Sequence, residues 1–136
     1  MTFTIGIVGS SHAPAELFVP AVRRIVTPFI GVTGFSIASG GASGADSAAK
    51  MVAVELGIPI KEYLPDKEKY PTGNDAYRAR NQLIADNSNE IWSLVCPLTE
   101  TKCYHCTKAR KDDNHERTGG CWTGRMKGEW RTVVVQ

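Results

Sequence analysis

Three glycine-rich turns in the chain are the segments best suited to bind an anion. A glycine N–H can approach an anion closely because no Cβ stands in the way. A helix N-terminus adds unpaired N–H donors and a partial positive charge. The turns are Gly9-Ser10-Ser11, Gly40-Gly41-Ala42-Ser43-Gly44 and Gly119-Gly120-Cys121-Trp122-Thr123. Because hydroxyl residues accompany the glycines in each turn, we predict that the three turns together hold a phosphate.

Two charged residues near these turns have candidate binding roles. Asp46 would either accept a hydrogen bond from a ribose hydroxyl or act as a first-turn acid that complements a helix dipole. Arg80 would either pair with a phosphate through its planar fork or remain a solvated helix arginine. Tyr77 shares a helix face with Arg80 and would stack on a base or pack in the core. The sequence leaves each of these pairs of alternatives open.

A second chemical pattern lies in the charged segment 96–121, which we interpret as an inserted loop. It contains a Cys-x2-Cys pair followed by one histidine and one further cysteine, which is a Cys3His donor set suited to tetrahedral zinc. Two other residues, His105 and Cys96, compete for a place in the set. The predicted ligands are Cys103, Cys106, His115 and Cys121.

The zinc predicted here is structural. A polar segment of this length cannot bury enough apolar surface to order itself, and four protein ligands leave no open coordination position for catalysis. A redox pair or free thiols are the alternatives for the two cysteines at 103 and 106. Since Cys121 lies inside the third glycine-rich turn, the metal would also fix that turn.

Alternating strand and helix patterns predict the elements that carry these residues. We expect a mainly parallel sheet of five strands covered on both faces, with the turns gathered along its carboxyl edge. A further turn and short helix are expected over Gly119–Lys127. The predicted strands are Thr2–Val8, Gly34–Ala38, Ile58–Leu64, Ile91–Val95 and Thr132–Val135; the predicted helices are Ala15–Ile30, short or broken by Pro20 and Pro28, Ala45–Leu56 with Gly57 as its C-cap, and Asn74–Asn87.

Length and composition limit the classes of protein to be considered. The chain has 136 residues, a length that fits a single domain over 1–136, and a net charge of +2, which is too small to indicate nucleic-acid binding. No apolar run approaches the roughly 20 residues of a membrane span. The first residues, Met1–Val8, lack a basic region typical of a signal peptide, so we expect a cytoplasmic protein with no membrane partner.

These motifs together resemble the SLOG superfamily, which includes the DNA-processing DprA/Smf proteins and the LONELY GUY phosphoribohydrolases. The resemblance covers nearly the whole chain and is closest to the small stand-alone branch. It implies a Rossmann-like three-layer α/β/α fold, a nucleotide-derived ligand and a tendency to form homodimers or larger homo-oligomers. The matching residues are Gly9, Ser10, Ser11, Gly40, Gly41, Gly44, Asp46, Arg80, Asn81, Gly119, Gly120 and Thr123, and Ser43 adds a hydroxyl within the second turn.

One departure from the family pattern bears on catalysis. The LONELY GUY enzymes carry a catalytic glutamate three positions after the threonine, where this chain has Met126. We therefore expect a module that senses or sequesters a phosphate-bearing, nucleotide-derived small molecule such as ADP-ribose or a cyclic nucleotide. The alternative is a phosphoribohydrolase-type enzyme that uses another carboxylate, Asp46 or Glu129. Binding of single-stranded DNA is a third hypothesis, which the low net charge disfavours.

Overall fold

The computed structural model describes residues 2–9, 13–71, 75–95 and 130–135. Strands and helices alternate along these ranges. The strands are β1 (Phe3–Gly9), β2 (Phe35–Ser39), β3 (Ile60–Glu62), β4 (Glu90–Val95) and β5 (Trp130–Val134), and the helices are α1 (Ala15–Val26), α2 (Ala45–Leu56) and α3 (Asp75–Asp86). No helix in these ranges is long and apolar enough to cross a bilayer.

The strands form one sheet in the order β3-β2-β1-β4-β5, and every neighbouring pair is parallel. The predicted α/β class and parallel sheet are therefore confirmed, and the arrangement is consistent with a Rossmann-like fold. The chain first moves outward from β1 to β3 and then returns to the other side of β1. The strand order thus reverses between β1 and β4, and in open α/β sheets ligands bind outside the carboxyl ends of the strands at such a point.

Helices α1 and α2 cover one face of the sheet. Alternate residues of β1 and β2, including Ile5, Ile7 and Ile37, are fully buried there. They pack with Phe18 and Val22 of α1 and with the small residues of α2 in one apolar cluster. The alanines of α2 bring this helix close to the sheet, which places its N-terminus beside the end of β2.

Helix α3 covers the opposite face through a smaller cluster. Ile84 of α3 packs with Val8, Ala38 and Ile91 from three neighbouring strands. Gly6 of β1 allows this approach, since a Cβ there would lie 2.7 Å from Ile91 Cδ1 and 3.2 Å from Ile84 Cγ2. The separation between α3 and the sheet is therefore set by the absence of a side chain at Gly6.

The element ends follow local signals, with one clear difference from the sequence prediction. Helix α1 contains Pro20 and stops at Val26, where a 3-10 turn with Pro28 follows. Helix α2 has the predicted bounds, and Gly57 ends it in the left-handed conformation. The third strand is shorter than predicted, because at this sheet margin only Ile60–Glu62 form the ladder.

Replacing Gly6 by alanine should destabilise the fold by about 1–3 kcal/mol, because the new methyl group must displace Ile91 or α3. The companion change Ile91→Val removes the methyl group that lies nearest to the new Cβ. The double variant should therefore be more stable than the sum of the two single effects predicts. Denaturant unfolding of the four proteins measures this coupling, and strictly additive effects would show that Ile91 does not restrict position 6.

Candidate functional site

The first two glycine-rich turns lie side by side at the carboxyl edge of the sheet. Gly6 pairs with Ala38, so β1 continues two residues beyond the level of Ser39, and Gly9 ends it beside the start of the second turn. Gly9 is the only residue of the first turn within the described ranges, because Ser10 and Ser11 fall outside them. The structure thus brings Gly9 and the whole second turn to one edge.

Gly9 marks the point where the strand order reverses. It pairs with Leu94 of β4 and has a φ of +147°, and a Cβ at this position would overlap the Leu94 carbonyl oxygen. Only glycine fits this backbone contact. The close approach joins the carboxyl ends of β1 and β4, which is where the topology predicts a ligand crevice.

The second turn folds around the carboxylate of Asp46. The Ala42 N–H donates to Asp46 Oδ2 at 3.2 Å, and the Gly41 N–H donates to Ser39 Oγ at 3.4 Å. The Ser47 hydroxyl donates to the Ala42 carbonyl at 2.9 Å. The amides of Gly41 and Ala42 therefore stabilise the turn itself and do not face outward toward an anion. In this turn the Ala42 N–H is paired with a carboxylate of the chain itself.

Asp46 is buried in the first turn of α2, with 7% of its surface exposed. Burial raises its pKa from the ordinary value of 3.8 to about 6, against the opposing effects of the Arg80 charge and the hydrogen bond from Ala42. Within the described part of the chain, Asp46 Oδ1 has no hydrogen-bond partner. A carboxyl group with this pKa changes protonation state close to neutral pH.

Arg80 extends from α3 over the ends of β2 and β3. Its Nη1 donates to the Gly40 carbonyl at 2.6 Å and, over a longer distance of 3.4 Å, to the Tyr63 carbonyl. Its Nε donates to Asn81 Oδ1 at 3.0 Å. Burial lowers the pKa of Arg80 while the nearby Asp46 raises it, and the guanidinium remains a cation. Arg80 is therefore a half-buried positive charge within the site and not a solvated helix arginine.

Gly40 is the residue that admits Arg80 to this position. A Cβ on Gly40 would overlap Arg80 Nη1 and would approach Asp46 Oδ2 to 3.1 Å. Gly41, with a φ of +71°, makes a similarly close approach to the side chain of Leu64. The Gly40-Gly41 pair is thus explained by close packing of side chains above the turn.

An aromatic ring and a lysine lie near Arg80 on its partly exposed side. Tyr77 is 38% exposed, so it is not a core residue, and its ring centroid lies 5.6 Å from Arg80 Cζ and 5.5 Å from Lys67 Nζ. Lys67 and Tyr63, which were not among the residues predicted for the site, also contact Tyr77 and Arg80. Tyr63 lies inside the predicted strand Ile58–Leu64 and follows the strand only because β3 ends at Glu62, and nothing in the sequence separated Lys67 from other loop lysines.

The third turn and the predicted zinc ligands lie outside the described residues. This applies to Gly119, Gly120 and Thr123, to the four ligand positions 103, 106, 115 and 121, and to the competing residues at 96 and 105. Met126 and Glu129 lie outside them too. The described residues contain no cluster of three or more histidine, cysteine or acidic side chains placed to hold a metal ion. The zinc site and the third turn stay predictions.

Comparisons of the chain with protein-family models, with curated proteins and with solved structures found no match.

The raised pKa of Asp46 predicts a specific dependence of stability on pH. The folded state holds the proton of the Asp46 carboxyl more tightly than the unfolded chain does. Below about pH 4 the carboxyl is protonated in both states and does not lower the free energy of unfolding. As the pH rises through 6, folding must bury an ionised carboxylate, and about 3 kcal/mol of stability is lost. The Asp46→Asn variant should lack this loss and should gain stability relative to the unmodified protein as the pH increases from 4 to 7.

Denaturant unfolding of both proteins between pH 4 and pH 7.5 measures the difference. Asp75→Asn is the matched control, because Asp75 also lies in the first turn of a helix but is exposed. A pH dependence shared by the two variants would come from removing a first-turn acid and not from the burial of Asp46. Parallel pH profiles for Asp46→Asn and the unmodified protein would contradict the assignment.

Proposed function

We propose that this chain binds a phosphate-bearing, nucleotide-derived small molecule at the carboxyl edge of its sheet and acts as a sensor or sequestering module. The observation that carries the proposal is the placement of Arg80, a half-buried cation fixed across the ends of two parallel strands. Burying a cation is costly, and such groups are enriched at functional sites. Asp46 offsets part of this cost, and an anionic ligand would offset more of it.

The hydrogen bonds of Arg80 support a binding role. The bonds to Asn81, Gly40 and Tyr63 are made through Nε and Nη1, so they fix the plane of the guanidinium. A guanidinium held in this way presents its remaining donors in a fixed plane, which suits a phosphate oxygen. The ligand would then meet Arg80 without the entropic cost of ordering a long side chain.

Neighbouring residues support a nucleotide over inorganic phosphate. Tyr77 presents a partly exposed ring next to Arg80, and an exposed aromatic ring is a common stacking surface for a base. Gly9 lies where the strand order reverses, which is the usual location of nucleotide sites in open parallel sheets. The resemblance of the turns and of the Arg80-Asn81 pair to the SLOG superfamily supports the same class of ligand.

A ligand panel tests the proposal. ADP-ribose, AMP, cyclic AMP and inorganic phosphate are each added to the full chain, and the melting temperature is recorded. A ligand that binds the native state should stabilise it by about 2.7 kcal/mol at a concentration one hundred times its Kd. Arg80→Gln should weaken binding of that ligand about tenfold or more, because a charge-assisted contact is lost.

Two variants control for effects on folding. Arg78→Gln removes an exposed charge from the same helix and should bind the ligand like the unmodified protein. Arg80→Lys keeps the charge but loses the planar fork, so it should fold and bind more weakly than the unmodified protein. Equal affinity in Arg80→Gln, or no stabilisation by any nucleotide of the panel, would refute the proposed function.

The pKa of Asp46 favours one alternative, a phosphoribohydrolase-type activity. A carboxyl group that titrates near pH 6 is suited to general acid–base catalysis at neutral pH. This role requires the turn to open, since Asp46 is buried and its Oδ2 accepts the Ala42 N–H. Nucleotide binding without hydrolysis needs no such movement, so we rank the binding function first.

Incubation of the chain with AMP, followed by chromatography for free adenine, tests the alternative. If Asp46 is the general acid or base, Asp46→Asn should lower the rate of adenine release about 100-fold or more while the protein stays folded. Asp75→Asn serves as the exposed control and should retain the full rate. Adenine release at an unchanged rate in Asp46→Asn would remove this residue from the mechanism.

A further inference from the structure

A groove of about 380 Å³ lies on the face of the sheet covered by α1, away from Gly9 and the second glycine-rich turn. We call it the amino-edge groove. Helix α1 forms one wall with its last turn and the residues that follow it, and the exposed face of β4 and β5 forms the other. Its main wall residues are Arg24, Ile25, Pro28 and Phe29 on one side and Glu90, Trp92, Arg131 and Val133 on the other.

The strand directions place this groove at the amino edge of the sheet. Helix α1 runs back along the strands, so its C-terminal end lies near the strand starts. Glu90 begins β4 and pairs with Ile5, and Trp92 pairs with Arg131 near the start of β5. The amino-edge groove and the candidate nucleotide site therefore lie at opposite edges of the sheet.

The floor of the groove is apolar and only partly covered. Phe29, Trp92 and Val133 pack against the main core cluster but keep part of their surface exposed. Parallel sheets usually have both faces covered, and α1 is the one described helix that contributes to these walls. A volume of about 380 Å³ is within the range of small-ligand sites.

Two arginines give the rim of the groove a positive charge. Arg24 and Arg131 are both exposed, and neither forms an ion pair with another residue of the described ranges. The guanidinium of Arg131 lies 5.3 Å from the ring centroid of Trp92. Glu90 is the one wall carboxylate among the described residues, and it accepts a hydrogen bond from Trp92 Nε1 at 3.0 Å.

Arg23, the residue before Arg24 on α1, has a structural role. Arg23 makes a two-pronged ion pair with Glu55 of α2 at distances of 2.9 to 3.1 Å. Arg24, one residue later, lines the groove and lacks such a partner among the described residues. The two arginines of the groove thus complement an anion above an apolar floor.

We propose that the amino-edge groove binds a small amphipathic organic anion. Its flat apolar body lies against Trp92 and Phe29, and its carboxylate or sulfonate group contacts Arg24 and Arg131. This site is independent of the nucleotide site, because it shares no residue with that site and lies at the other edge of the sheet.

A matched pair of probes tests the charge requirement. Naphthalene-2-carboxylate and the uncharged naphthalene-2-carboxamide have nearly the same shape, and each is titrated into the full chain by calorimetry. The carboxylate should bind about tenfold or more tightly than the amide, because only it offers an anion to the arginines. Equal affinity of the two probes, or no binding of the carboxylate, would overturn the proposal.

Variants locate the binding. Arg24→Gln and Arg131→Gln should each weaken binding of the carboxylate about fivefold or more. In each variant the affinity for the carboxylate should approach the affinity for the amide. Arg23→Gln is the control, since it removes the same charge from the adjacent position and should not change the affinity. If Arg23→Gln weakened binding as much as Arg24→Gln does, the effect would be one of overall charge, and the proposed site would be refuted.

Two further measurements complete the test. Circular dichroism of each variant establishes that a loss of binding is not a loss of folding, and Arg24→Gln changes only an exposed helix residue. Sedimentation of the chain alone and with the carboxylate detects a second copy seated in the groove. A dimer that excludes the probe would overturn the proposal, whereas a monomer that binds it supports the proposal.

Discussion

The hydrogen bond from Arg80 to the Gly40 carbonyl connects all three layers of the fold. It joins α3 on one face of the sheet to the turn that leads into α2 on the other face. The same turn encloses Asp46, whose pKa responds to the charge of Arg80. Because Arg80 and Asp46 are both partly or wholly removed from water, each lowers the cost of burying the other. The candidate site depends on this pair remaining together.

Sequence reasoning predicted the parts of the fold that have local signals. Both ends of α2 could be predicted because a glycine precedes it and Gly57 follows it, and each has a positive φ that few other residues adopt. The third strand was predicted too long because Ile58–Leu64 is apolar enough for a strand, whereas its position at the sheet margin limits the ladder. That position depends on strand order, which no local pattern encodes.

The site was predicted less completely for a related reason. The glycine pair at 40 and 41 suggested amides that face a ligand, but the close contacts of Arg80 and Leu64 explain those glycines equally well. The acceptor of Arg80 lies forty positions away in the chain, so spacing alone could not identify it. Asp46 lies in the first turn of α2, and its burial follows only from the way the turn closes over it.

The bare backbone of β1 at Gly6 has a mechanical consequence. A Cβ there would meet the side chains of Ile91, Ser88 and Ile84, so neighbouring residues already fill the space that a side chain would take. A larger residue at this position would push α3 away from the sheet. Because Arg80 lies on the same helix and reaches the Gly40 carbonyl, such a push would also lengthen the contact on which the candidate site depends.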